Sequence, residues 1–225
     1  MSKLMVHQFE EAIQEIKHDN TVRALIIKSD VKGAFCAGAD LKERAKMTPE
    51  EVGPFVGRLR GFVRNIMDLP CATIAAVDGF ALGGGLELAM SCDLIYSSDD
   101  AKMGLTETRL AIIPGAGGTQ TLTRRVGASK AKEMIFQAKI VKGDEAESIG
   151  LVNGNVSGNE AGDAAYHKAM EVAQKIAPNG PVALRMAKLA VNKGSQVDLV
   201  TGLDIEQMCY SCQFNFILNR VVVNF

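Results

Sequence analysis

The sequence predicts an α/β fold followed by a helical C-terminal region. Short apolar runs bounded by turn residues alternate with longer amphipathic segments over residues 1–157, as expected for strands joined by helices. Residues 158–225 are instead mostly helical in pattern. With 225 residues, the chain is long enough to bury a sizeable core without disulfides or metals.

Helices are predicted where apolar residues recur at helical spacing or where capping residues begin a segment. In residues 5–19 the apolar side chains follow the helical period. Residues 48–69 begin with Thr48 as a cap and Pro49 in the first turn, and Pro70 ends the segment. Further helices are predicted at residues 83–91, 119–125, 129–138, 144–149, 160–177, 181–193 and 198–211.

Strands are predicted where short apolar runs lie between turn residues. These runs are residues 24–27, 73–77, 93–97 and 151–156. The last residues, Phe214–Phe225, are apolar with few charges and show no helical stripe. That pattern indicates either a packed tail or a divergent terminus.

The composition is that of a globular protein that does not depend on bulk charge. Hydrophobic residues make up 47% and charged residues 23%, which excludes a disordered chain. The 25 basic and 26 acidic side chains leave a net charge of −1, which argues against a protein that mainly binds nucleic acid electrostatically. No run approaches the roughly 20 apolar residues that span a bilayer. Residues 1–20 lack the pattern of a signal or transit peptide, so we expect no targeting segment in this chain.

Five scattered cysteines predict reduced thiols in an intracellular protein. They occupy positions 36, 71, 92, 209 and 212. Cys209 and Cys212 form one C-x-x-C pair, but a zinc site needs about four ligands, and the spacing of His7, His18 and His167 does not complete one. We therefore expect no metal site.

Three glycine-containing segments hold the residues best suited to catalysis. The first, residues 35–42, places small residues after a short extended run, where the backbone can approach a ligand. The second, residues 83–88, places three glycines between a strand and a helix, so that helix N–H groups can face an anion. The third combines Glu107 with residues 113–118. Neither glycine cluster matches the G-x-G-x-x-G or G-x-x-x-x-G-K-[ST] patterns of nucleotide-binding loops.

Glu87 and Glu107 are the candidate catalytic carboxylates. Glu87 lies in the first turn of the glycine-led helix and Glu107 lies well beyond it, so only tertiary folding brings them together. Each has a simpler explanation: Glu87 as a carboxylate that complements the helix dipole, and Glu107 as a solvated loop residue. The residues alone leave both explanations open.

At these residues the sequence resembles the enoyl-CoA hydratase (crotonase) superfamily. The matching strings are FCAGADLKE at residues 35–43, AAVDGFALGGGLELA at 75–89 and AIIPGAGGTQ at 111–120. The resemblance implies a spiral of ββα turns followed by C-terminal helices that assemble homo-oligomers, either trimers or dimers of trimers. It divides the chain into a core at residues 1–157, apparently without the superfamily's N-terminal β-hairpin, and an oligomerisation region at residues 158–225.

The resemblance also implies the roles of individual residues. The amides of Ala39 and Gly84 would form an oxyanion hole for the thioester carbonyl of an acyl-CoA. Glu87 would act as the base toward water, and Glu107 would donate a proton to the α-carbon, which requires a raised pKa within a coupled pair. Residues that match the substrate- and CoA-binding segment are Ala37, Asp40, Leu41, Lys42 and, beside the catalytic water, Gly115.

The reaction implied is the addition of water across the 2,3 double bond of a short, branched or dicarboxylic trans-2-enoyl-CoA. No metal, nucleotide or flavin is implied as cofactor, since coenzyme A enters as part of the substrate. The location implied is the mitochondrial matrix. Alternatives are a hydratase of fatty-acid β-oxidation, an isomerase, or an RNA-binding or inactive protein with this fold. RNA binding in the superfamily is associated with a lysine-rich early helix, whereas residues 7–19 contain four acids and one lysine.

Overall fold

The computed structural model describes residues 1–40, Glu43 and residues 45–221, with side chains as far as Cys212. Its strands are β1 (Ala24–Ile27), β2 (Ala34–Cys36), β3 (Ala72–Val77), β4 (Phe80–Leu82), β5 (Leu94–Ser98), β6 (Lys102–Gly104), β7 (Val141–Lys142) and β8 (Gly154–Val156). Its α-helices are α1 (Lys3–His18), α2 (Pro49–Met67), α3 (Gly84–Met90), α4 (Gly118–Val126), α5 (Ala128–Phe136), α6 (Gly143–Ser148), α7 (Ala164–Ile176), α8 (Pro181–Gly194) and α9 (Leu199–Val221). A 3₁₀ helix covers Glu107–Leu110.

The strands form two sheets, and strands β1 to β6 alternate between them along the chain. The first sheet is parallel, in the order β1-β3-β5-β8. The second has the order β2-β4-β6-β7, and only β7 is antiparallel to its neighbour. Because successive strands from β1 to β6 enter different sheets, this part of the chain advances as a spiral. The predicted α/β fold with ββα turns is confirmed.

The four predicted strands are those of the first sheet. The second sheet was not predicted, because its strands are only two or three residues long and show no clear period. The expectation that helical structure ends at residue 211 is wrong, since α9 continues to Val221. Residues 222–225 of the predicted tail lie outside the described residues. The division at residues 157 and 158 stays a prediction.

The core is built from apolar faces that pack against the sheets. One cluster of buried residues contains side chains of α2 and α3, including Phe62, Ile66 and Leu86. A second lies where Ala165 and Ala169 of α7 pack on the outer face of the first sheet, because their small side chains allow a close approach. The described chain contains no helix that is both long and apolar enough to cross a membrane. All five cysteines are free thiols.

Asp78 connects α7 to the turn between β3 and β4. Its Oδ1 accepts a hydrogen bond of 2.8 Å from the Ala165 amide, and its Oδ2 accepts one of 3.2 Å from the Tyr166 amide. These amides belong to the first turn of α7, where N–H groups have no acceptor within the helix. A single carboxylate therefore positions the helix beside the strand that leads into the glycine segment.

Candidate active site

The glycine segment turns the chain from β4 into α3. Gly83 has φ +53° and ψ −124°, a conformation that favours glycine because other residues have a Cβ that clashes there. A Cβ at Gly85 would overlap the carbonyl of Cys36 at the end of β2. Glycine at position 85 thus lets α3 lie directly against the 35–42 segment, which brings two of the three predicted segments into contact.

Glu87 of α3 is a buried glutamate. The residue is only 3% exposed. Oε1 accepts hydrogen bonds of 2.8 Å from the Ala116 amide and 2.7 Å from the Gly118 amide. Its partners therefore lie in the third predicted segment rather than at the end of its own helix, and they fix the direction of the carboxylate.

Burial raises the pKa of the Glu87 carboxyl above its ordinary value. Desolvation is the largest cause, because an apolar environment disfavours the charged form. The amides of Gly118 and Ala116 and the positive charge of Arg60 oppose the shift without cancelling it. A carboxyl with a raised pKa is better matched to proton transfer near neutral pH than an ordinary glutamate.

The raised pKa predicts a pH-dependent stability that glutamine at position 87 removes. Because the pKa of Glu87 in the folded state lies above the ordinary glutamate value of 4.5, the folded state retains the proton to higher pH than the unfolded state. Stability conferred by the protonated form is fully present below that value and is lost as pH rises through the folded pKa. We expect Glu87→Gln to unfold at a higher temperature than the parent chain near neutral pH, and the difference to shrink toward pH 4.5. Calorimetric scans over this range check it, and an unchanged difference would contradict it.

Glu107 lies at the other end of the first turn of α3. It begins the 3₁₀ helix and is half-buried. A Cβ at Gly83 would lie 3.0 Å from Glu107 Oε1, so this side chain reaches the residue that precedes α3. The amide of Glu87 donates to the Gly83 carbonyl at 3.0 Å. Glu107 therefore lies against the residue that begins the turn carrying Glu87, although the two glutamates are distant in sequence.

The two residues predicted to supply oxyanion amides also lie side by side. A Cβ at Gly38 would lie 3.4 Å from Gly84 N, and a Cβ at Gly84 would lie 3.7 Å from Ala39 N. Gly38 has φ +99°, a left-handed conformation that lets the chain pass this close to α3. Ala39 N and Gly84 N are thus brought to the same place, next to the turn that carries Glu87.

Met1 forms part of the wall at this place. Its carbonyl accepts a hydrogen bond of 3.1 Å from the Asp40 amide, and its nitrogen donates to the Gly38 carbonyl. Its Cε would lie 2.7 Å from a Cβ at Gly84. The side chain of Met1 therefore contacts the oxyanion candidates, a contact that no sequence motif indicates.

The predicted substrate- and CoA-binding residues are only partly described. Ala37 is exposed and Asp40 is half-buried, and Asp40 Oδ1 accepts a hydrogen bond of 3.3 Å from the Glu43 amide. Gly115 is half-buried and lies in the loop that holds Glu87. Leu41 and Lys42 lie outside the described residues.

Arg60 of α2 is a site residue that the sequence did not reveal. Its Nε and Nη2 donate to the Gly115 carbonyl at 3.4 and 3.2 Å. The side chain of Val56, one turn earlier, lies against the same glycine, 2.9 Å from a Cβ built there. An arginine on an amphipathic helix carries no motif, so only the packing of α2 on the loop identifies it.

A cavity of about 430 Å³ lies between α1 and α2. Its described lining residues are Lys3, Val6, Glu50, Glu51, Pro54, Phe55, Arg58 and Leu59. Neither Glu87 nor Glu107 lines this cavity. The candidate site is therefore defined by the residues around these two glutamates and not by the cavity. Among the described residues, no three His, Cys, Asp or Glu side chains cluster as metal ligands would.

The chain belongs to the enoyl-CoA hydratase/isomerase family, whose model matches residues 1–216. The mitochondrial methylglutaconyl-CoA hydratase of Homo sapiens is 55% identical over 94% of this chain, which spans 62% of that relative's length. The human enoyl-CoA hydratase domain-containing protein 2, mitochondrial, is 50% identical over 94% of the chain and 72% of its own length. The crystal structure of an enoyl-CoA hydratase from Bacillus anthracis superposes with a TM-score of 0.90 at 43% identity, covering 94% of this chain and 80% of that one.

Three parts of the sequence, outside the glycine segment of α3, predict similarity to methylglutaconyl-CoA hydratases in particular. They are residues 37–47, 180–183 and 198–203. The identities of 55% and 54% to the human and rat enzymes of that name confirm this similarity.

The substitution Gly118→Ala, which adds a methyl group, tests whether the loop at residues 116–118 positions the Glu87 carboxylate. A Cβ there would lie 2.9 Å from Glu87 Oε1, 3.0 Å from its Cγ and 3.0 Å from Leu105 Cδ1. We expect Gly118→Ala to displace the carboxylate, to lower turnover about 10- to 100-fold because small misplacements are costly, and to destabilise the chain by about 1–3 kcal/mol through overpacking. Steady-state kinetics and chemical denaturation measure both.

Gly57→Ala is the matched control, because a Cβ at Gly57 meets nothing within 4 Å and alanine favours a helix such as α2. Equal losses in both variants would show that Gly118 does not act through Glu87.

Proposed function

We propose that the chain is an enoyl-CoA hydratase that adds water reversibly across the 2,3 double bond of a short, branched or dicarboxylic trans-2-enoyl-CoA. The observation that carries this proposal is that Glu107 lies against Gly83, at the start of the turn that carries Glu87, while Ala39 N lies close to Gly84 in the same turn. Hydration needs a group that takes a proton from water and one that gives a proton to carbon, and two carboxyls at one place suit both transfers.

The amides of Ala39 and Gly84 stabilise the charge that the reaction develops. As the water oxygen bonds to C3, electrons move from the C2=C3 bond toward the thioester oxygen, which becomes an enolate oxygen. Fixed amide donors in a site shielded from water act most strongly on such charge, and the loss of one typically costs about 100- to 1,000-fold in rate. In this proposal the approach of residues 38–39 to Gly84 supplies both donors.

The two glutamates divide the proton transfers. Glu87 accepts a proton from the attacking water, and its raised pKa makes it a stronger base than an ordinary carboxylate. Glu107 gives a proton to C2 as the enolate collapses, which completes the 3-hydroxyacyl-CoA. Exchange with solvent then returns the proton from Glu87 and restores the one on Glu107. The reverse sequence eliminates water.

The substrate proposed is a methylglutaconyl-CoA-like thioester. The relatives of highest identity named here are methylglutaconyl-CoA hydratases, and the pair of carboxyls favours hydration over an isomerisation that needs one acid. The proposal includes no metal, nucleotide or flavin cofactor. The proposed location is the mitochondrial matrix, which the names of the mitochondrial relatives support.

The partner proposed besides the substrate is the chain itself, in a trimer or a dimer of trimers. Exposed large apolar side chains are concentrated on α8, α9 and the loop between them: Leu189, Val191, Val197, Leu199, Val200, Leu203, Met208 and Tyr210. Apolar patches of this kind mark interaction surfaces. Light scattering on the chromatographed chain gives the number of copies.

A panel of trans-2-enoyl-CoA thioesters tests the function directly. The panel contains 3-methylglutaconyl-CoA, crotonyl-CoA and a long-chain enoyl-CoA, and loss of the conjugated enoyl absorbance reports hydration. We expect the branched dicarboxylic thioester to have the highest kcat/KM. RNA binding is the competing function, so filter binding to an AU-rich RNA over a salt series runs alongside. Sequence-preferring RNA binding without hydration of any thioester would overturn the proposal.

A further inference from the structure

The three arginines of α2 have different partners. Arg58 pairs with Glu10 at 2.6 Å, and Arg64 pairs with Asp68 at 3.6 Å. Arg60 forms no ion pair with a carboxylate of the described residues and instead donates twice to the Gly115 carbonyl. Its guanidinium is therefore directed toward the loop of the candidate site rather than held by a carboxylate partner.

Arg60 contacts the same peptide group whose N–H holds the catalytic base. The carbonyl it contacts belongs to Gly115, and the next amide, that of Ala116, donates to Glu87 Oε1 at 2.8 Å. The guanidinium is also close enough to favour the charged form of Glu87. Arg60 and the carboxylate that would activate water at C3 of the acyl group thus bind opposite ends of one peptide group.

A dicarboxylic acyl group creates a charge problem at this place. In a glutaconyl-type thioester the terminal carboxylate is two bonds from C3, so it approaches Glu87 and Glu107 when C3 is placed for attack. Like charges at such distances oppose binding unless a cation compensates them. Arginine is the side chain best suited to do so, because its planar group has five N–H donors and stays charged. The two bonds to Gly115 use only two of those donors.

We propose that Arg60 is a specificity-determining residue that binds the terminal carboxylate of a dicarboxylic acyl-CoA while it holds the Gly115 loop. Arg60 is exposed in the structure, and an acyl group that covers it would exclude water and strengthen the contact. The inference rests on the proposed function and adds to it the group that recognises the substrate class.

Binding of saturated thioesters tests this role separately from catalysis. The probes are 3-methylglutaryl-CoA and 3-methylpentanoyl-CoA, which differ only in a terminal carboxylate or methyl group and have no double bond to hydrate. Isothermal titration calorimetry gives Kd for the parent chain, Arg60→Met, Arg60→Lys and the control Arg64→Met. Arg64 is the matched control, since it lies one turn along α2 and is paired with Asp68.

We expect Arg60→Met to weaken binding of the dicarboxylic probe about 10- to 100-fold, as for loss of a charge-assisted hydrogen bond. Binding of the methyl probe should change less than about threefold, since no charged contact is lost. Arg60→Lys should restore part of the preference, and Arg64→Met should keep all of it. Equal losses for both probes would assign Arg60 to loop support alone and overturn the inference, as would failure of the parent chain to prefer the carboxylate. Failure of the enoyl-CoA panel would instead overturn the proposed hydration.

Discussion

Replacing Glu87 by glutamine should lower the rate of hydration by about 100- to 10,000-fold, the usual contribution of a general base. Glutamine has the same shape and retains an oxygen that can accept from the Ala116 and Gly118 amides. The loop that binds the side chain of residue 87 should therefore keep its conformation. The loss of activity should appear in kcat rather than in substrate affinity. Stopped-flow and steady-state assays with 3-methylglutaconyl-CoA measure both parameters.

The unfolding temperature provides the control for this variant. We expect it to be raised at neutral pH, because the substitution removes a buried carboxylate whose charged form is disfavoured. A fall in activity together with a collapse of the fold would leave the assigned chemistry unsupported. Near-normal turnover in a folded variant would exclude Glu87 as the base.

Replacing Glu107 by glutamine should reduce turnover by a similar factor of about 100 to 10,000, because an amide cannot donate the proton that C2 receives. The side chain is half-buried against Gly83, and glutamine fills the same volume. We expect the fold and the binding of saturated thioesters to remain. Single-turnover kinetics separates the chemical step from product release.

The double variant of residues 87 and 107 sharpens the assignment. Groups that act as one unit lose activity non-additively, so we expect the double variant to be only slightly slower than either single variant. Glu15→Gln, at an exposed position of α1, should retain full activity. Losses that multiply would contradict this coupling and indicate that each carboxyl contributes independently of the other.

The sequence predicted those parts of the site that local chemistry dictates. Gly83 predicts a turn and Gly85 a close approach of two backbones. The structure requires glycine at both, because Gly83 has a positive φ and Gly85 packs against the Cys36 carbonyl. Glu87 and Glu107 were selected as carboxylates beside glycine segments, and the fold brings them to one turn. The four strands of the first sheet were also predicted, since they are short apolar runs bounded by turn residues.

Contacts between distant segments were not predictable in the same way. The role of Arg60 depends on how α2 lies across the Gly115 loop, and that of Met1 depends on the path of residues 38–40. Neither placement leaves a period or a spacing in the sequence. The second sheet escaped prediction for a related reason, because β7 has only two residues and exists through its partner β6 rather than through its own propensity.

The carboxylate of Asp78 has a mechanical consequence for the whole molecule. It joins the amides of Ala165 and Tyr166 to the turn that feeds the glycine segment. Local unfolding of α7 would therefore break these hydrogen bonds and increase the mobility of the chain that precedes Gly83. The first turn of α7 and the turn at Asp78 should open together, so the deuterium uptake of amides 165 and 166 should follow that of the turn between β3 and β4. An assembly that stabilises the C-terminal helices would then also reduce the mobility of the chain that leads into the glycine segment.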